Sequence, residues 1–139
     1  MKEIDYIQWQ PEFKTGIDKI DDGRLQFIKL HNQLVDIVNK EYCNQKIVEF
    51  LYALIHYAEH HLLNEEICYR SFDGLAEHKA RHQTFVNTIS EIRNDIAEKN
   101  SVKGCEKLLL YLNGWFHNHI MQQDKEVLNT VKHNQDNAL

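Results

Sequence analysis

Apolar residues recur at intervals of three and four in four separate runs of this chain. At about 100° per residue, such intervals line side chains along one stripe of an α-helix. In the first run, from about Asp18 to Asn39, the stripe holds Ile17, Ile20, Arg24, Phe27, Ile28, His31, Val35 and Val38. In the second, from about Asn44 to Tyr69, it holds Ile47, Phe50, Leu54, Tyr57, Ala58, His61, Glu65 and Cys68. The third begins near Asp73, a residue type favoured at N-caps, and carries Leu75, His78, His82, Phe85, Ile89, Ile92 and Ile96. Lys99 to Ser101 interrupts the pattern. The fourth run, from about Val102 to Val131, carries Cys105, Leu108, Leu112, Trp115, Phe116 and His119. Long alternating runs and Asn-Gly hairpins are missing, so strands are not expected. The pattern predicts an all-α fold, an up-down-up-down antiparallel four-helix bundle over 16–131. An N-terminal arm (1–15) precedes it and a short tail (132–139) follows, within one domain of 139 residues.

Charge and composition narrow the functional classes. A net charge of −5 offers no attraction to nucleic acid or to an anionic membrane. No apolar run approaches the roughly 18 residues of a membrane span. The N-terminal Met1 to Asp5 is acidic and lacks the apolar stretch of a signal peptide, so a cytoplasmic location is expected. Cys43, Cys68 and Cys105 are odd in number, far apart and without a Cys-x-x-Cys pair. That fits reduced thiols in a reducing compartment, not a disulfide framework or a thiolate zinc site. A monomer or a small homo-oligomer is expected.

Nine histidines change the picture, because the helical stripes sort them. His61 and Glu65 are four apart, as are His78 and His82, and residues so spaced share one helix face. All four lie on core-facing stripes, as does His119. Asp124 follows His119 by five residues, about 140° off the stripe in a regular helix, and a local π-bulge would bring it round. Burying Glu65 and Asp124 without a counter-charge would cost several kcal/mol each, and a pair of cations removes that penalty. Four imidazoles with two carboxylates suit iron or another first-row transition metal. His56 and His60 are also four apart, but they share a mostly solvated face with Glu49 and Glu59, so a surface role is expected.

These residues resemble those of the hemerythrins, most closely the single-domain bacteriohemerythrins. The resemblance rests on His-x3-Glu, His-x3-His and His-x4-Asp in this order on successive helices. Further likeness lies in the opening Ile7 to Trp9 and Gly16 to Asp21, in the segment from His61 to Glu66, and in Trp115 to Ile120. It implies two irons joined by an oxo or hydroxo group. His78, His82 and His119 would bind one iron, His61 the other, and Glu65 and Asp124 would bridge them. It also implies reversible uptake of dioxygen at the second iron, behind an apolar lining of Phe27, Phe85, Ile89, Leu112 and Trp115. Storage, delivery or sensing of oxygen is the function expected. The alternatives are a diiron redox enzyme acting on peroxide, nitric oxide or ferrous iron, and an iron-poor interaction module.

The departure from the family lies in the first helix. Where the family reads Ile-Asp-x-Gln-His, this chain reads Ile20, Asp21, Asp22, Gly23, Arg24. A permanently protonated guanidinium is not a metal ligand. His31, seven residues on, lies roughly 10 Å further along the axis and is expected to be a hydrogen-bonded core residue. Three outcomes stay open for Arg24 as a modifier of the pocket. Both irons bind and Arg24 donates to a bound anion; one iron binds and Arg24 neutralises Glu65 and Asp124; or the side chain turns out to solvent.

Overall fold

The apolar stripes close on one another as four helices. The computed structural model describes residues 4–68, 75–98 and 101–123. The elements are α1 (Asp18–Asn39), α2 (Cys43–Cys68), α3 (Leu75–Glu98) and α4 (Ser101–Trp115), and α4 continues as a π-helix over Phe116–Gln123. α1 packs on α2 and α3 on α4, and the two hairpins join through α1–α4, α2–α3 and α2–α4 contacts. This is the four-helix bundle, with no strand among the described residues. The proposed N-cap Asp73, the break at Lys99 and Asn100, and the chain beyond Gln123 lie outside the described residues. Among the described residues no helix is long and apolar enough to cross a membrane.

The stripes point inward as their spacing requires. Phe27, Leu54, Phe85, Leu108 and Leu112 are fully buried, and Val35, Phe50, Ile89 and Phe116 nearly so. At roughly 1.5–3 kcal/mol for each fully buried large apolar side chain, this core is the main source of bundle stability.

α1 starts without a side-chain N-cap on Ile17. Asp21 reaches back instead and accepts from the Thr15 N–H and hydroxyl, both at 2.7 Å, and from the Gly16 N–H at 3.2 Å. Gly16 has φ 88°, a left-handed conformation that a glycine adopts without a Cβ clash. Burial alone would raise the Asp21 pKa. The Thr15 and Gly16 hydrogen bonds and the nearby Arg24 charge outweigh burial and hold it below the ordinary value.

The arm lies against the bundle. Asn32 accepts from the Ile7 N–H and donates to the Ile7 carbonyl, both at 2.8 Å. Tyr6 donates its hydroxyl hydrogen to Asp36. Pro11–Phe13 forms a single 3-10 turn, whose Phe13 ring packs edge-on to Phe116.

The cysteines correct the expectation of reduced thiols. Cys43 and Cys105 form a disulfide across 62 residues of sequence, with Cα atoms 6.4 Å apart. Antiparallel topology brings the first turn of α2 beside the start of α4, a proximity that sequence spacing does not show. The Cys68 side chain lies outside the described residues.

Candidate metal centre

At the other end of the bundle the helices carry their ligand-type side chains inward. One ligand atom from each of Glu65, His78, His82 and His119 lies within 4.8 Å of the other three, and all four residues are buried. α2 supplies the carboxylate, α3 two imidazoles one turn apart, and the π-helix the last imidazole. Ring centres are 4.1 Å apart for His78 and His82, and 5.2 Å from each of these to His119. Three imidazoles and a carboxylate converging in a dry interior match the donor chemistry of iron or a neighbouring first-row metal. A carboxylate as deeply buried as Glu65, 1% exposed, is electrostatically suited to a cation.

His61 is buried beside this cluster rather than within it. Its Nε2 is 3.3 Å from Glu65 Oε1, and its ring stacks on Tyr57 at 5.1 Å. The ring also rests against the backbone of α1. A Cβ built on Gly23 would lie 1.6 Å from His61 Nδ1. No atom tolerates that approach, so this His61 position exists only because residue 23 has no side chain. Gly23 drew no attention in the sequence. Its one signal was an isolated glycine inside a strong helical pattern, which usually marks close packing.

Glu66 is a second residue that spacing did not single out. Its Oε1 lies 3.5 Å from His82 Nδ1, while His82 Nε2 is 3.6 Å from Glu65 Oε1. These separations are long for hydrogen bonds but close enough for charge to act. A carboxylate behind an imidazole favours a proton on the nitrogen facing it and leaves the other nitrogen's lone pair for a metal. Trp115 plays a related part for His119, stacking on its ring at 4.0 Å and 17°.

Asp124 lies outside the described residues. The chain leading to it is π-helical, with hydrogen bonds spanning five residues. That is the local geometry which a ligand spacing of five calls for.

The structure bears on one of the three courses for Arg24. Its side chain is 4% exposed, so it does not turn to solvent. Nη1 donates to the Phe13 carbonyl at 2.8 Å and Nη2 to the Ile120 carbonyl at 3.2 Å. The guanidinium thus ties the arm to the π-helix. Nε is buried without a hydrogen-bond partner. His31, as expected, is a core residue. The Asn113 amide donates to its Nε2 at 3.2 Å, so Nδ1 carries the proton and donates to Asn32 Oδ1 at 3.0 Å.

Two openings approach the cluster. A cavity of about 520 Å³ between α3 and α4 is lined by Arg81, Thr84, Tyr111, Trp115 and His119. A smaller one of about 160 Å³ between α2 and α3 reaches His82 beside Glu66 and Lys79.

Comparison with known proteins agrees with this geometry. A family model described as the hemerythrin HHE cation binding domain matches residues 15–131. A bacteriohemerythrin of Clostridium acetobutylicum is 26% identical over 125 residues, covering 86% of this chain and 97% of the relative. A bacteriohemerythrin of Pseudomonas aeruginosa is 29% identical over 132 residues, covering 92% and 83%. A myohemerythrin of Theromyzon tessulatum is 26% identical over 109 residues, covering 77% and 85%.

Proposed function

The chain belongs to the hemerythrin family, and from that premise we propose that it binds dioxygen at a carboxylate-bridged pair of irons, for storage, delivery or sensing. The observation that carries this reading is the convergence of Glu65, His78, His82 and His119 within 4.8 Å in the bundle interior. These four would hold the first iron. His61 and Glu65 would hold the second, with Asp124 as the other bridge. Ferrous iron, when bound, supplies the electrons and the open coordination position that dioxygen uptake needs. The protein supplies the surroundings. Phe27, Phe85, Ile89 and Leu112 are nearly or fully buried and keep bulk water out. Glu66 and Trp115 hold His82 and His119 in orientation.

One observation favours a second reading, with a single iron. His61 falls outside the group of four, and the position where the family has a further histidine carries Arg24, engaged on two main-chain carbonyls. A second iron held by so few protein ligands would also be more open to redox turnover than to reversible binding.

Iron per chain on freshly purified protein, with an optical spectrum under air, separates the readings. About two irons with oxo-bridge bands support dioxygen binding at a pair. About one iron without those bands supports the single-iron reading and removes reversible carriage.

A further inference from the structure

We propose that His56 and His60, on the outer face of α2, form a second and solvent-open site for a divalent cation that prefers imidazole, Zn2+ or Cu2+ in class. The site is independent of the buried centre and of its proposed function. The two rings are exposed and one helical turn apart, with centres 4.4 Å apart and planes at 53°. An ion about 2.0–2.1 Å from one nitrogen of each ring sets ring centres about 4.5 Å apart at a right-angle bite and about 5.2 Å apart at a tetrahedral one. At 4.4 Å the exposed pair stands just inside that range, so a small rotation of the two free rings brings a nitrogen of each onto one ion. It repeats the geometry of His78 and His82, the buried pair at the same spacing, whose ring centres are 4.1 Å apart.

Neither exposed ring makes a hydrogen bond or ion pair among the described residues. Their lone pairs are thus open to a solvent ion. His60 is the neighbour of His61 in sequence but is turned about 100° from it around the helix, so it points away from the centre. Glu59, also exposed, is likewise turned about 100° from His60, so the site rests on the two imidazoles. Two imidazoles with water in the remaining positions suit Zn2+ and Cu2+ better than Fe2+, which lies lower in the divalent affinity order. The pair would not compete for the iron of the bundle.

Dialysis of the iron-loaded full chain against Zn2+ tests the site, with zinc and iron counted per chain. Wild-type protein is expected to take up about one zinc more than His56→Ala or His60→Ala. Each variant should bind that zinc roughly tenfold more weakly or worse, since losing even an outer partner of a ligand has that effect. Iron content and the optical spectrum should match wild type in both, because the two side chains lie on the surface. Undiminished zinc in either variant, or no such zinc in wild type, overturns the proposal.

Discussion

Gly23 lies in the second turn of α1, where helix propensity argues against it by about 1 kcal/mol relative to alanine. Its place is explained by His61, whose Nδ1 occupies the space a Cβ would need. The two effects have opposite signs, which makes Gly23→Ala decisive. If propensity ruled, the variant would be more stable. The contact predicts instead that urea unfolding of metal-free protein shows a loss of about 1–3 kcal/mol, the range for overpacking a core. Metal content should fall as well, because a displaced His61 no longer faces Glu65. A second residue-scale prediction concerns acid. Burial lowers the pKa of His31 below its ordinary 6.5, a bond to Asn32 opposes this, and His117 lowers it further. The folded chain therefore binds fewer protons at this position than the unfolded chain. The His31 contribution is complete above about pH 6.5 and is lost as pH falls through the lower folded value. Urea unfolding of metal-free protein at about pH 7.5 and about pH 5 should show a smaller loss in His31→Gln than in wild type. An equal loss in both would mean that other groups carry the acid sensitivity.

Among the elements, the arm and the π-helix carry what the helical stripes could not. The arm is pinned by Asn32 on both polar groups of Ile7 and by Arg24 on Phe13. Asn32→Ala removes three hydrogen bonds at once, counting the one from His31. At about 1 kcal/mol each the expected loss is about 2–3 kcal/mol, with limited proteolysis cutting first within residues 4–15. A variant with wild-type stability and an uncut arm would show that the arm docks by its apolar side chains alone. The helices themselves were legible because each stripe repeats over about four to six turns, and Phe27, Leu54, Phe85 and Leu112 all proved buried. The burial of His61, Glu65, His78, His82 and His119 was legible for the same reason, since polar residues on an apolar stripe are conspicuous. Gly23, Glu66 and the Cys43–Cys105 pair were not, because each depends on a neighbour from another helix. The course of Arg24 was hidden for a related reason. Its partners are main-chain carbonyls, which no side-chain pattern records.

At the scale of the whole molecule, beside the Arg24 and His31 hydrogen bonds from α1, two ties at opposite ends join α2 to the α3–α4 hairpin. The disulfide links the start of α2 to the start of α4. The cluster of Glu65, His78, His82 and His119 links α2 to α3 and to the π-helix. Cys105 precedes His119 by a stretch of helix about 20 Å long, so the two ties share no contacts. Closing a loop of 62 residues restricts the unfolded chain by about 4 kcal/mol in the chain-entropy account. Cys43→Ser/Cys105→Ser should therefore lower the unfolding free energy by up to about 4 kcal/mol, in metal-free and in iron-loaded protein alike. Iron removal should lower it independently, because a metal held only by the folded state stabilises that state. Four measurements, with and without each tie, close a cycle. Sites this far apart are expected to add within about 0.5 kcal/mol. A larger coupling would mean that opening the disulfide end loosens the helices along their length and disturbs the ligands at the other. The bundle would then act as one cooperative unit linking thiol state to metal affinity.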